Sequence, residues 1–152
     1  MSRIVKIGSG IALLMLLIWA VGCSQDSNQA LFMAVSKGHT ATVKTLLAQG
    51  VDVNAKDDDG VTVLMSAAYG GHTKTVTALL AKGAEVNAKT KDGVTALMVA
   101  AQGGHTATVK ALLVPSVDVN AKAKDGSTAL MKAVAKGHAG IVNLLKQAGA
   151  KE

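Results

Sequence analysis

Beyond residue 28 the apolar positions fall into two alternating groups separated by glycines. In a middle stretch, Leu64, Ala67 and Ala68 share one face of a short helix, which Thr62 is placed to cap and Gly70-Gly71 to end. Val76, Leu79 and Leu80 follow at helical spacing after His72. Gly83 then stands where the chain must leave the second helix through a left-handed conformation. Asp59-Gly60 and its counterparts mark tight turns in the connecting segments. The expected unit is a helix, a glycine turn, a second helix and a short finger loop.

This unit recurs every 33 residues. His39, His72, His105 and His138 form one column, Val43, Val76, Val109 and Val142 another, and Leu46, Leu79, Leu112 and Leu145 a third. Leu47, Leu80 and Leu113 are followed in the last unit by Lys146. Asp59-Gly60-Val61-Thr62, Asp92-Gly93-Val94-Thr95 and Asp125-Gly126-Ser127-Thr128 align, as do Val53-Asn54-Ala55-Lys56, Val86-Asn87-Ala88-Lys89 and Val119-Asn120-Ala121-Lys122. One helix pair has too little core to stand alone, so the period predicts a solenoid in which stacking joins the apolar faces.

These motifs resemble the ankyrin repeat, with its Asp-Gly-x-Thr, Gly-His-x-x-x-Val-x-x-Leu-Leu and Gly-Ala-x-Val-Asn-Ala segments. The resemblance implies an all-α ankyrin solenoid of about four helix-turn-helix units with short finger loops. The domain is expected over 29–152, in approximate units 26–58, 59–91, 92–124 and 125–152. The family's Thr-Pro-Leu-His is altered: Val63, Ala96 and Ala129 replace the proline, and Met65, Met98 and Met131 replace its histidine. This exchange removes a residue suited to the first helical turn and a polar partner for the threonine, weakening the turn network without threatening the fold. In the third unit Val114-Pro115-Ser116-Val117 interrupts the pattern, with Ser116 in the column of Gly50, Gly83 and Gly149. The second helix there should end about one residue early. Both ends read as caps, the first unit beginning Asp26-Ser27-Asn28-Gln29 and the last carrying Lys146, Gln147, Lys151 and Glu152.

The N-terminal segment differs in composition. Arg3 and Lys6 precede an apolar run, Ile11 to Val21, that ends at Gly22-Cys23. A charged start, a short apolar centre and small residues before a cleavage point describe a secretory signal, and the run is shorter than the roughly 20 residues of a membrane span. Trp19-Ala20-Val21-Gly22-Cys23 resembles a bacterial lipobox, which implies a signal peptide over 1–22, lipidation of Cys23 and a short tether over 23–28. Plain secretion and an uncleaved anchor are the other readings. Ser24 rather than aspartate after the cysteine resembles the signal for outer-membrane delivery in a Gram-negative host. The expected location is the bacterial cell envelope, on the periplasmic face of the outer membrane, with a soluble periplasmic or inner-membrane-anchored protein as alternatives.

Charge narrows the function classes. The chain carries 16 basic and 10 acidic residues. Loss of residues 1–22 removes Arg3 and Lys6 and no acid, leaving fourteen basic against ten acidic residues, a net +4 carried by lysine alone. Without arginine forks, aromatic platforms or a clustered basic run, nucleic acid is not an expected partner. Cys23 is the only cysteine, so no intramolecular disulfide can form. The four histidines occupy equivalent places in stacked units, away from cysteine pairs or carboxylate clusters, and read as structural rather than metal-binding. The ankyrin resemblance implies that this histidine orders the turn between helices. Asn54, Asn87 and Asn120 read as loop hydrogen-bonding residues. Asp57-Asp58-Asp59 lacks the alternating ligands and distal glutamate of a calcium loop and reads as a solvated finger tip. With no nucleophile elbow, phosphate loop or zinc-protease motif, no enzyme, cofactor or small-molecule substrate is expected.

The columns in which the repeats disagree are the candidates for recognition, because packing leaves them free. On the finger and first-helix face these are Asp58/Lys91/Lys124, Val61/Val94/Ser127, Ser66/Val99/Lys132 and Tyr69/Gln102/Ala135. Val61, Ser66, Tyr69, Val94, Val99, Gln102 and Lys132 are therefore the expected partner-binding residues, with an apolar centre flanked by lysines and aspartates. This face resembles the concave protein-binding surface of ankyrin proteins. Tyr69 and Phe32 are the only aromatics beyond residue 22, so the surface suits a small, specific contact. The expected function is a non-enzymatic protein-interaction module anchored in the envelope, binding an unidentified periplasmic or membrane-proximal protein. An accessory or inhibitory, immunity-type regulator of an envelope enzyme is the alternative, and a passive envelope structural protein a third reading.

Lipidation is directly measurable. Cys23→Ser should abolish incorporation of labelled fatty acid, and mass spectrometry of the protein from cells should find residues 1–22 removed. An intact Met1, or a cleaved Cys23 without lipid, would exclude the anchor.

Overall fold

The computed structural model describes residues 25–151; the expected signal peptide and Cys23 lie outside the described residues. The described chain forms α1 (helical over 25–36), α2 (Thr40–Ala48), α3 (Val63–Tyr69), α4 (Thr73–Ala81), α5 (Ala96–Gly103), α6 (Thr106–Leu112), α7 (Ala129–Ala135) and α8 (Ala139–Gln147). Helices α3, α5 and α7 pack in one row, and α2, α4, α6 and α8 in a second, with each hairpin joining the rows. The only strand-like pairing among the described residues is an isolated antiparallel bridge between Lys56 and Thr62 at the base of a finger.

The threonine caps form as the sequence predicts. Thr62, Thr95 and Thr128 accept hydrogen bonds from the backbone N–H of Met65 (3.2 Å), Met98 (3.4 Å) and Met131 (3.2 Å). The Met65 sulfur in turn accepts from the Thr62 N–H at 3.5 Å, so a weak acceptor completes the reciprocal cap.

Each second helix presents two opposed apolar columns. Val43, Val76 and Val109 are fully buried, whereas Val142 in the last unit is only half-buried. Leu79, Leu112 and Leu145 are fully buried, whereas Leu46 in the first is half-buried. The valines therefore face the following unit and the leucines the preceding one. Together with the small first-helix residues Ala67, Ala68, Ala100 and Ala101 they form a single core running from Leu31 to Leu145.

Three expectations need correction. Residues 25–28, expected as a tether, are already helical, so α1 begins at least five residues before the position equivalent to Val63. Helix α6 ends at Leu112, two residues before the counterpart of Ala81 rather than one, because Pro115 has no N–H to continue the helical bonding and restricts Val114. Ser116 avoids the left-handed conformation that Gly50, Gly83 and Gly149 adopt, and Val117 N–H bonds Val114 O (3.0 Å) where Ala84 N–H reaches back to Leu79 O (3.0 Å). The C-terminal cap is polar only on α8. Met131 (45 % exposed) and Val134 (58 %) on α7 occupy columns whose members Met65, Ala68, Met98 and Ala101 are covered by the next unit.

The burial pattern sets an order of stability losses. Leu79→Ala should lower the unfolding free energy by about 2 to 5 kcal/mol by leaving a cavity in the continuous core. Tyr69→Ala, at a side chain 77 % exposed, should change it by no more than about 0.5 kcal/mol. Denaturant midpoints test the order, and equal losses would contradict this register.

Candidate functional site

The surface available for recognition is what remains after stacking, and polar side chains hold that stacking in register. The Nε2–H of His72 donates to Ser36 O (3.1 Å), that of His105 to Tyr69 O (2.9 Å) and that of His138 to Gln102 O (3.2 Å), each in the preceding unit. A carbonyl only accepts, so Nε2 carries the proton. The rings fill the space beside the turn glycines: a Cβ on Gly71 would come within 2.5 Å of the His105 ring, and its φ of +66° disfavours any side chain. His72, His105 and His138 are thus ties between repeats.

The asparagines make a second row of ties. Asn54 accepts from Glu85 N (2.8 Å) and donates to Gly83 O (3.5 Å). Asn87 accepts from Asp118 N (2.7 Å) and donates to Ser116 O (2.7 Å), so the Pro115-Ser116 change leaves this bridge in place. Asn120 does the same with Lys151 N (2.8 Å) and Gly149 O (3.1 Å). A third row is invisible in the aligned motifs: the hydroxyls of Thr40 and Thr75 (2.8 Å), and of Thr73 and Thr108 (2.9 Å), pair between adjacent outer helices. Successive fingers are also joined, Lys91 N–H donating to Asp59 O (2.9 Å) and Lys124 N–H to Asp92 O (2.8 Å).

The variable columns lie on the face these ties leave open. Val61, Ser66, Tyr69, Val94 and Val99 line one groove of about 540 Å³ between the fingers and first helices of the second and third repeats, with Met65 also in its wall and Asp59, Thr90, Lys91 and Asp92 on the finger side. Tyr69 and Val99 continue into a depression with Gln102, His105 and Lys136, and Gln102 and Lys136 into another with Ser127, Met131 and Lys132. All seven sequence-selected residues therefore lie along one trough. Val61 and Val94 are less open than expected: both are half-buried and pack against the core, leaving Tyr69 as the most exposed large apolar side chain.

Several trough residues escaped the sequence reading. Asp59 and Asp92 belong to the invariant Asp-Gly turns, and Met65 to a buried column, so the contrast between repeats could not select them. Met33, 57 % exposed, shares the column of Ser66, Val99 and Lys132, and the 33-residue alignment could have revealed it. At the fourth repeat, the Ser127 hydroxyl (2.6 Å) and N–H (2.9 Å) hold the Asp125 carboxyl below its ordinary pKa, with a further contribution from Lys132. The Asp57 carboxylate likewise accepts from Asp59 N (3.0 Å) and Val61 N (2.8 Å), shaping the first finger. Among the described residues no group of three or more His, Cys, Asp or Glu side chains is placed to hold a metal, and no helix is long and apolar enough to cross a membrane.

The asparagine bridge can be tested piecewise. Asn87→Ala should cost about 1 to 3 kcal/mol of unfolding free energy, from two hydrogen bonds of about 0.5 to 1.5 each. Asn87→Asp, which keeps the acceptor, should cost about half as much. Equal losses in denaturant titrations would show that the acceptor oxygen, which Asp retains, contributes nothing.

The pattern of helices, histidine ties and asparagine bridges agrees with comparison against known families. Residues 4–90 and 82–152 both match the family described as ankyrin repeats (3 copies), the first match running through the stretch read above as a signal peptide. Such repeats generally mediate protein–protein interaction. The chain belongs to the ankyrin repeat family.

Proposed function

We propose that this protein is a non-enzymatic recognition module, held at a bacterial cell envelope by a lipid on Cys23, that binds a periplasmic or membrane-proximal protein through its concave trough. The observation that carries the binding reading is the convergence of Val61, Ser66, Tyr69, Val94 and Val99, which differ from their counterparts in one or more repeats, on a single groove. The stacking columns are consumed by the core, and the trough residues are left to meet another molecule. A concave, largely apolar depression with a few polar groups on its rim is the usual form of a recognition site.

The envelope reading rests on Arg3, Lys6, the Ile11–Val21 run and Gly22-Cys23. Only Ser24 separates Cys23 from the first described helical residue, so a lipid at Cys23 would hold the repeats close to the bilayer. Outer-membrane sorting follows from Ser24 if the host reads lipoproteins in the usual way.

The combined variant Tyr69→Asp/Val99→Lys tests the binding face while sparing Val94, which packs against the core. Its helical circular dichroism and unfolding midpoint should stay near those of the parent, while a partner captured stoichiometrically by the parent from envelope extract should be lost. Retained capture would exclude the trough and direct attention to the outer helices bearing Lys44, Lys74 and Lys110.

A further inference from the structure

We infer that the occupant of the trough is a short extended peptide segment with one apolar side chain and, about four residues away, an acidic one. This inference rests on the trough being the binding face and adds the chemistry of what it binds. Charge is distributed unevenly along the trough. The groove between the second and third repeats is apolar within, formed by Val61, Met65, Val94 and Val99 beside Tyr69. Its finger rim carries Asp59 and Asp92 with Lys91 between them, and Asp57 and Asp58 lie immediately before Asp59. An acidic side chain is repelled from that end.

The fourth-repeat end has the opposite character. Lys132 and Lys136 line the depression there with Gln102, and no acidic side chain is in its wall. Asp125 lies near Lys132, but its carboxyl is already engaged by Ser127, and among the described residues Lys136 is in no ion pair. Two ammonium groups without a full carboxylate partner attract one from outside.

Geometry supplies the spacing. The apolar groove straddles the second and third repeats and the lysines sit on the fourth, one to one and a half helix spacings away, about 8 to 15 Å at the usual interaxial distance. Extended chain advances about 3.3 Å per residue and only residues an even number apart face the same side, which puts the two side chains about four residues apart. The apolar groove, at about 540 Å³, has ample room for a large apolar side chain.

Selection of a random dodecapeptide library on phage against the full chain, followed by fluorescence anisotropy with the enriched peptides, tests this inference. Enriched sequences should share an aliphatic or aromatic residue with Asp or Glu about four positions away. Changing that acid to Asn in the peptide, or Lys132→Gln/Lys136→Gln in the protein, should each weaken binding about tenfold, the size expected for two exposed charge contacts, and combining them should add little. Val99→Asp should abolish binding. Because the peptide change leaves the protein untouched, a folding defect in the lysine variant cannot mimic the result. Peptides lost with Val99→Asp but indifferent to both charge changes overturn the acidic partner and leave the binding face standing. Peptides indifferent to Val99→Asp overturn both, and failure to enrich any peptide overturns the inference.

Discussion

Every unit of this protein depends on its neighbours to bury its own apolar side chains. The valine column of each second helix faces forward and the leucine column faces back, so Val142 and Leu46, at opposite ends of the described stack, are the members left half-covered. A fully buried aliphatic side chain is worth about 1.5 to 3 kcal/mol, and no single helix pair can bury both of its columns. Folding is therefore a property of the array, and the helices can be as short as seven residues because neighbouring units rather than intrinsic propensity stabilise them.

Apolar faces alone would allow the units to slide or rotate against one another. The histidine, asparagine and threonine ties remove that freedom at three places: the turn between helices, the loop after the second helix, and the outer helix row. Each joins a side chain in one unit to a group in the next, so one stereotyped geometry repeats along the chain. By contrast the exposed Lys56–Glu85 pair, at 4.0 Å, adds little to this register.

A rigid periodic framework also separates stability from recognition. Positions engaged in stacking are nearly invariant between repeats, whereas positions facing the trough vary from aspartate to lysine and from serine to valine without altering the core. The trough can therefore carry a gradient of character, apolar between the second and third repeats and basic at the fourth, on a backbone that stays constant.

The 33-residue period, the threonine caps, the glycine exits and the interior leucines were legible in the sequence because each is a local rule, a spacing or a backbone conformation, repeated often enough to stand out. The same comparison between repeats brought Tyr69, Val99 and Gln102 to attention. What it could not weigh was the neighbour. Val61 and Val94 looked open because they vary, yet their side chains lean on the core of the stack. Asp59 and Met65 looked purely structural because they recur, yet they wall the groove. The unit and its register follow from helical geometry and turn chemistry, which are written locally along the chain. Which side chains share a surface emerges only in the stack, since it depends on contacts between residues one or more repeats apart, and the exact end of α6 shows only in the backbone bonding around Pro115.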